Sequence, residues 1–169
     1  VRSVSDLNAT AAALLGLLHD GPATGGELVA AAEERFGTFF RVTRSQVYRE
    51  LPALHKEGYL RLGKQGPRSS QQYILTAAGK RAFKAWVTAD SGADHLRSPL
   101  ILRVVNAGVL TPKQRANLFE AARETYKIEL DEAKAAVRAA GDPVEKAVAE
   151  FGQAYARAAL KLVDSISSS

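Results

Sequence analysis

The sequence predicts a mainly α chain with a small β component (α+β), in two parts that meet near residue 90. Three observations predict it. Thr24, Thr43 and Thr111 each stand three residues ahead of a Glu or Gln, the form of a helix capping box. Between residues 59 and 75, two short strand-like runs flank a polar stretch containing Gly66-Pro67. From residue 111 onward, apolar residues recur at steps of three and four, interrupted at Gly141-Asp142-Pro143.

The elements follow in order. A first apolar segment, residues 10–19, is closed by Gly21-Pro22. Thr24-Gly25-Gly26-Glu27 starts a helix over about 25–36 that buries Leu28, Ala31, Ala32 and Phe36, and Gly37 stops it. Thr43-Arg44-Ser45-Gln46 starts another, reaching about Glu57, with Val47, Leu51 and Leu54 as its buried stripe. Gly58 suits the position after its end. Pro52 lies inside this helix and is expected to kink or loosen it, because its ring removes a hydrogen bond to residue 48. Tyr59–Gly63 and Gln72–Leu75 read as an antiparallel hairpin, with residues 64–70 as a flexible tip carrying Lys64 and Arg68. Thr76-Ala77-Ala78-Gly79 opens a helix to about Val87. Helix, helix, helix, strand, strand, helix is the order of a winged helix-turn-helix domain, here residues 1–90.

Asp90-Ser91-Gly92 marks the expected boundary, and residues 91–169 form the second part. After a mixed segment, Thr111-Pro112-Lys113-Gln114 places Thr at the N-cap, Pro at the first helical position and Gln at the third. The long helix that follows carries the stripe Phe119, Ala122, Tyr126, Leu130, Ala133, Val137, Ala140. Asp142-Pro143-Val144-Glu145 starts a second helix with the stripe Val144, Val148, Phe151, Tyr155, Ala158, Leu162. Two helices alone bury too little surface to be stable by themselves. The apolar face of this helical hairpin is therefore expected to pack against a copy of itself, making the chain a homodimer.

Charge points to the partner. Residues 41–68 hold seven basic residues against two acidic ones, a surplus of +5 equal to the formal charge of the whole chain. The remainder is balanced. A localised positive surplus on a helix and hairpin fits a polyanion, and double-stranded DNA above all. With Val47, Leu51 and Leu54 turned inward, Arg44, Ser45, Tyr48 and Arg49 fall on the opposite side near the helix start, the end that usually reads bases. Arginine pairs bidentately with guanine, Gln46 with adenine, and Tyr48 donates to a phosphate. The candidate DNA-contacting set adds Arg41 and Thr43 before the helix, Lys64 and Arg68 on the hairpin, and Tyr73 on its returning strand, where a packing role competes. A rival class is a non-specific architectural DNA protein with the same charge and no base preference; the polar face at residues 44–49 argues against it.

Other chemistry has little support. There are no cysteines, which excludes disulfide scaffolds and thiolate metal sites. His19, His55 and His95 are about 40 apart, without metal-ligand spacing. No nucleophile elbow, phosphate-cradling loop or dinucleotide fingerprint occurs, so no enzyme and no cofactor are expected. No apolar run approaches the roughly 18 residues of a membrane span. The run Ala11–Leu15 is preceded by Asp6 and followed by no small-residue cleavage site, so no signal peptide and a cytoplasmic location are expected.

The residues now in view resemble the PadR family of bacterial transcription regulators. "LLGLLHDGPATGGEL" (14–28) is similar to that family's first helix and turn. "RFGTFFRVTRSQVYRELPALHKEGYL" (35–60) resembles its Phe-Gly helix end, S-x-V-Y recognition helix and E-x-G-L exit, and "YILTAAGKRAF" (73–83) its closing strand and L-T-x-x-G helix start. Gly26 stands where a Tyr is common, and Arg49 where Pro is common, with Pro52 three later. "DPVEKAVAEFGQAYARAALKLVDSI" (142–166) is similar to the last helix of longer-tailed members. The resemblance implies a winged-helix repressor, dimerised through C-terminal helices and often released by a small aromatic effector. The dimerisation candidates are Phe119, Tyr126, Leu130 and Val137 on the first long helix, and Val148, Phe151, Tyr155 and Leu162 on the second.

Overall fold

The structure, a computed structural model, describes residues 7–37, 39–67 and 70–167. Its contacts divide the chain into two compact units, Val1–Ala93 and Asp94–Ser169.

The first unit contains α1 (Ala9–Leu17), β1 (Ala23–Thr24), α2 (Gly25–Phe36), α3 (Arg44–Lys56), β2 (Leu60–Gln65), β3 (Gln71–Leu75) and α4 (Ala77–Thr88). α1 buries Ala11, Ala12, Leu14, Leu15 and Leu17, nearly its whole circumference, and packs against α2, α3 and α4. A helix apolar all round belongs at the centre of a core. Val47 and Leu51 are 0% exposed and Leu54 1%, so the stripe expected on α3 is the face that meets α1. Leu28 and Ala32 of α2 and Leu60 of β2 join the cluster, while Ala31 and Phe36 are half-buried at its margin.

Backbone bonding fixes the exit of α3. The Gly58 N–H donates to the His55 carbonyl at 2.9 Å and the Tyr59 N–H to the Leu54 carbonyl at 3.0 Å, the double bond of a Schellman ending. Gly58 has φ +79°, which a residue without Cβ adopts at no steric cost. The Thr76 hydroxyl, at the cap of α4, donates to the Gly58 and Tyr59 carbonyls, so α4 starts against the end of α3.

Two findings depart from the sequence reading. The sheet has three strands in the order β1-β3-β2, because Ala23 and Thr24 pair with Tyr73 and Gln72. β2 extends through Gln65, so Lys64 lies on the arm of the hairpin rather than at its tip. The Gln71 side chain donates to the Gly63 carbonyl and the Gly66 N–H to the Ser70 carbonyl, prolonging the ladder where no apolar side chains mark it. α3 runs as one helix through Pro52. Its ring lies on the exposed face, where water can serve the orphaned Tyr48 carbonyl.

The second unit contains α5 (Pro99–Val105), a 3-10 turn (Ala107–Val109), α6 (Pro112–Ala139) and α7 (Pro143–Ser167). α5, unforeseen in the sequence reading, starts from Ser98, whose hydroxyl accepts the Ile101 N–H. α6 begins with the full capping box of Thr111 and Gln114. The Asp142 carboxylate accepts the Val144 and Glu145 N–H groups at 2.7 and 2.9 Å and so opens α7. α6 and α7 pack along their length, with Leu100, Ala107, Phe119, Ala159 and Val163 at the core. Arg123 of α6 bonds Asp164 of α7 at 2.9 Å and also pairs with Glu120.

α7 carries two apolar faces rather than one. Ala156, Ala159 and Val163 are buried within the unit. Val144, Val148, Phe151 and Tyr155 are 73%, 42%, 70% and 40% exposed. On α6, by contrast, the stripe from Phe119 through Tyr126, Leu130 and Val137 is buried or half-buried. Tyr126 meets Tyr155 edge to face, with ring centroids 6.4 Å apart. Burial first, then Tyr155, pushes the Tyr126 hydroxyl up to about 12.

Candidate nucleic-acid interface

α2, the turn after it and α3 form the helix-turn-helix. Val42, 5% exposed, plugs the turn into the core, and Arg41 reaches back to Glu33 of α2 at 3.8 Å. Thr43 then starts α3. Its hydroxyl accepts the Gln46 N–H at 3.3 Å and donates to Gln46 Oε1 at 3.0 Å, while its N–H donates to the same oxygen at 2.8 Å. The cap thus occupies both the Thr43 hydroxyl and the Gln46 carbonyl oxygen. A Gln bidentate to adenine uses its oxygen and its nitrogen together; in this arrangement only the nitrogen of Gln46 is uncommitted to the cap. Ahead of the Arg44 and Ser45 N–H groups there is no helical acceptor.

The outward face of α3 begins with Arg44, Ser45, Tyr48 and Arg49, all exposed. The Arg44 guanidinium lies 5.2 Å from the Tyr48 ring centroid, within cation–π range. That ring also rests on Gly25, the first residue of α2. A Cβ at Gly25 would sit 2.9 Å from the ring carbon Cζ, closer than carbon atoms pack. Tyr73 of β3 stands close enough for Tyr48 to raise its pKa, although burial is the larger cause. Gly25, Tyr48 and Arg44 are thus one packed group joining α2 and α3, with Tyr73 of β3 near it. The sequence marks Gly25 only as the start of a helix.

Arg49 points elsewhere. Its Nη2 is 3.5 Å from Glu50 Oε1, and Glu50 is 4% exposed. Glu50 had entered the sequence reading only as a charge; that α3 buries it was not legible, because it lies one step beyond a stripe already complete without it. On the hairpin, Lys64 and Arg61 are exposed on β2. Arg68 lies outside the described residues. The dimerisation candidates all fall in the second unit, with Phe151 the most exposed and Phe119 the most buried. Among the described residues no group of His, Cys, Asp and Glu could hold a metal ion, and no helix is long and apolar enough to cross a membrane.

Comparison with known proteins agrees with this architecture. Residues 14–85 match the model of the transcriptional regulator PadR-like family. The negative transcriptional regulator PadR of Bacillus subtilis is 24% identical over 147 residues, which cover 83% of this chain and 81% of that protein. The crystal structure of Bacillus subtilis PadR in complex with operator DNA superposes with a TM-score of 0.77 at 22% identity, covering 95% of this chain and 97% of that one. The crystal structure of the same regulator in complex with p-coumaric acid gives 0.73 at 21% identity, covering 94% and 96%. The match begins in α1 and ends in α4, so it spans the helix-turn-helix and both strands of the wing. With a winged helix of this order and a family match across it, residues 14–85 are similar to the PadR-like family of transcriptional regulators.

Proposed function

We propose that this chain is a homodimeric, cytoplasmic repressor that binds a near-palindromic operator in double-stranded DNA and is released by a small aromatic effector. The observation that carries the reading is the start of α3. Arg44, Ser45, Tyr48 and Arg49 face solvent there, on the side opposite Val47, Leu51 and Leu54. In this reading Arg44 and Arg49 meet base edges, with Ser45 beside them, and Tyr48 meets a phosphate while steadying Arg44. Thr43 and Gln46 hold the helix start in shape. Arg41, Lys64 and Arg68 supply phosphate contacts, and Tyr73 backs Tyr48. Residues 1–90 act as the DNA-binding domain and residues 91–169 as the dimerisation domain.

Two further features support the assembly and its control. The exposed row Val144, Val148, Phe151, Tyr155 on α7 is a surface that a second copy would cover. A two-fold axis would then set two α3 helices into successive major grooves, about 34 Å apart. The relative in Bacillus subtilis is a negative regulator, and one of its structures holds p-coumaric acid; this makes repression and release by a phenolic acid the first things to test.

The experiment uses a duplex enriched by the protein from a random-sequence pool, titrated beside a scrambled duplex at two salt concentrations, with and without p-coumaric acid. A repressor prefers the enriched duplex, and Arg44→Ala costs about 1–3 kcal/mol on it while narrowing the preference. Equal affinity for both duplexes at both salts would remove the operator-reading function and leave a non-specific DNA protein. Unchanged binding with p-coumaric acid would remove that effector class.

A further inference from the structure

Glu50 is a carboxylate in a place that normally excludes one. It is the only charged residue buried among the described residues, and α3 turns it toward the core beside Val47, Leu51 and Leu54. Buried charges are costly unless they are paired and hydrogen-bonded. Asn8 Nδ2 donates to Glu50 Oε1 at 3.1 Å. The same Asn8 caps α1, its Oδ1 accepting the Ala11 N–H at 2.8 Å. One amide side chain therefore fastens the start of α1 to the middle of α3. The same oxygen is 3.5 Å from Nη2 of Arg49, whose side chain is 70% exposed.

Helical geometry sharpens the point. At 100° per residue, Arg49 lies nearly opposite the buried stripe, in line with Ser45 one turn earlier, and Glu50 lies a step round toward the core. To reach Glu50, the guanidinium leans off the middle of the open face toward the start of α1. We infer that Glu50 is a positioning residue for operator reading: it holds the Arg49 guanidinium in one orientation before DNA arrives. This inference rests on the operator-reading role proposed for α3.

The chemistry suits the task. A guanidinium has five donors on a rigid plane; a contact to Glu50 through one nitrogen leaves the remaining donors for a base edge or a phosphate. Held at one end by a carboxylate that is itself tied to a helix cap, the long side chain loses less freedom on binding. The charge of Glu50 acts in the opposite sense, since any carboxylate near DNA weakens binding to all sequences alike. Positioning and charge therefore have separable signatures: one changes the preference between sequences, the other the affinity for both.

The test is Glu50→Gln, which keeps the volume and an oxygen for Asn8 while removing the ionic partner of Arg49. Affinities are measured at one salt concentration for the enriched duplex and its scrambled counterpart, in wild-type and Arg49→Ala backgrounds. A pair with one partner in solvent and one nitrogen at 3.5 Å predicts that Glu50→Gln lowers the preference by a factor of roughly two to five, with scrambled binding equal or tighter. In the Arg49→Ala background the same substitution leaves the preference unchanged. A parallel shift on both duplexes, or the same loss of preference without Arg49, would overturn the inference. Arg49→Lys probes it without touching the buried carboxylate: the charge stays, the planar fork goes, and the preference falls; an unchanged preference counts against positioning. A wild-type protein without preference removes the operator reading itself and this inference with it, a distinct result.

Discussion

Phe151→Glu tests how the tail is covered. Phe151 is 70% exposed on α7. A phenylalanine offers on the order of 200 Å² of surface, so roughly 140 Å² of it stands in water. At ~25 cal/mol/Å², covering that area is worth about 3.5 kcal/mol per copy, and a two-fold interface counts it twice, about 7 kcal/mol per dimer. Even half of that sum exceeds two decades in a dissociation constant. Glutamate also places two like charges where the rings met. Sedimentation velocity over a dilution series reads the monomer–dimer constant, and circular dichroism reads the helices. The expected result is a constant weakened by at least about 100-fold with helix content unchanged, because an exposed ring contributes little to its own chain's packing. A dimer of wild-type strength would refute the assignment of this face. Leu162→Glu is the less informative variant, since Leu162 packs against the unit's own core and its loss would damage the hairpin as well.

Gly25→Ala should leave thermal stability level or slightly raised, since alanine restricts the unfolded chain and favours helix. It should also weaken binding to the enriched duplex, because the new Cβ displaces the Tyr48 ring and with it Arg44; unchanged DNA affinity would detach that packed group from the interface. Leu51→Ala, at a residue 0% exposed in the first unit's core, should cost about 2–5 kcal/mol in denaturant unfolding; a smaller loss would mean that the site collapses around the gap. Glu27 has its carboxyl held below its ordinary value of 4.5, first by the Thr24 N–H and then by the Thr24 hydroxyl. Its contribution to stability is therefore full above that ordinary value and disappears as pH falls through the lower folded one. The difference in melting temperature between wild type and Glu27→Gln should shrink on acidification over that window, and a constant difference would refute the cap's ionic part.

Much of the first unit could be read in the sequence because its signals are local. Thr24 and Thr43 cap where their spacing to Glu27 and Gln46 predicts, as Thr111 does with Gln114 in the second unit. Val47, Leu51 and Leu54 are buried because their steps of four and three put them on one side of a helix. What escaped has little local signal. β1 is two residues long and is defined by the partner it pairs with, not by any alternation of its own. α5 is a seven-residue helix in an almost unbroken apolar run, which has no period to detect. On α7 the large residues draw the eye to the outward face, while the face that packs in the unit is made partly of alanines, whose small size suits close approach of two helices. At the interface, residue types were legible and their entanglements were not. Gln46 reads equally well as a cap and as a base reader, and only geometry shows its oxygen occupied. Buried Glu50 is bonded by Asn8, 42 positions away.

The starts of α2 and α3 share a backbone device but differ by one chemical group. Thr24 and Thr43 make the same reciprocal bonds, to Glu27 in one helix and to Gln46 in the other. Every peptide dipole in a helix leaves a partial positive charge at its first turn, and a carboxylate there cancels it. Glu27 does so for α2; α3 has no acidic residue in its first turn, and its carboxamide closes the cap with no charge. The choice of oxygen or nitrogen at one side-chain terminus thus separates the mechanical strength of a helix start from its field. Both helices are closed by the same set of bonds, and only the second presents its positive pole to the solution.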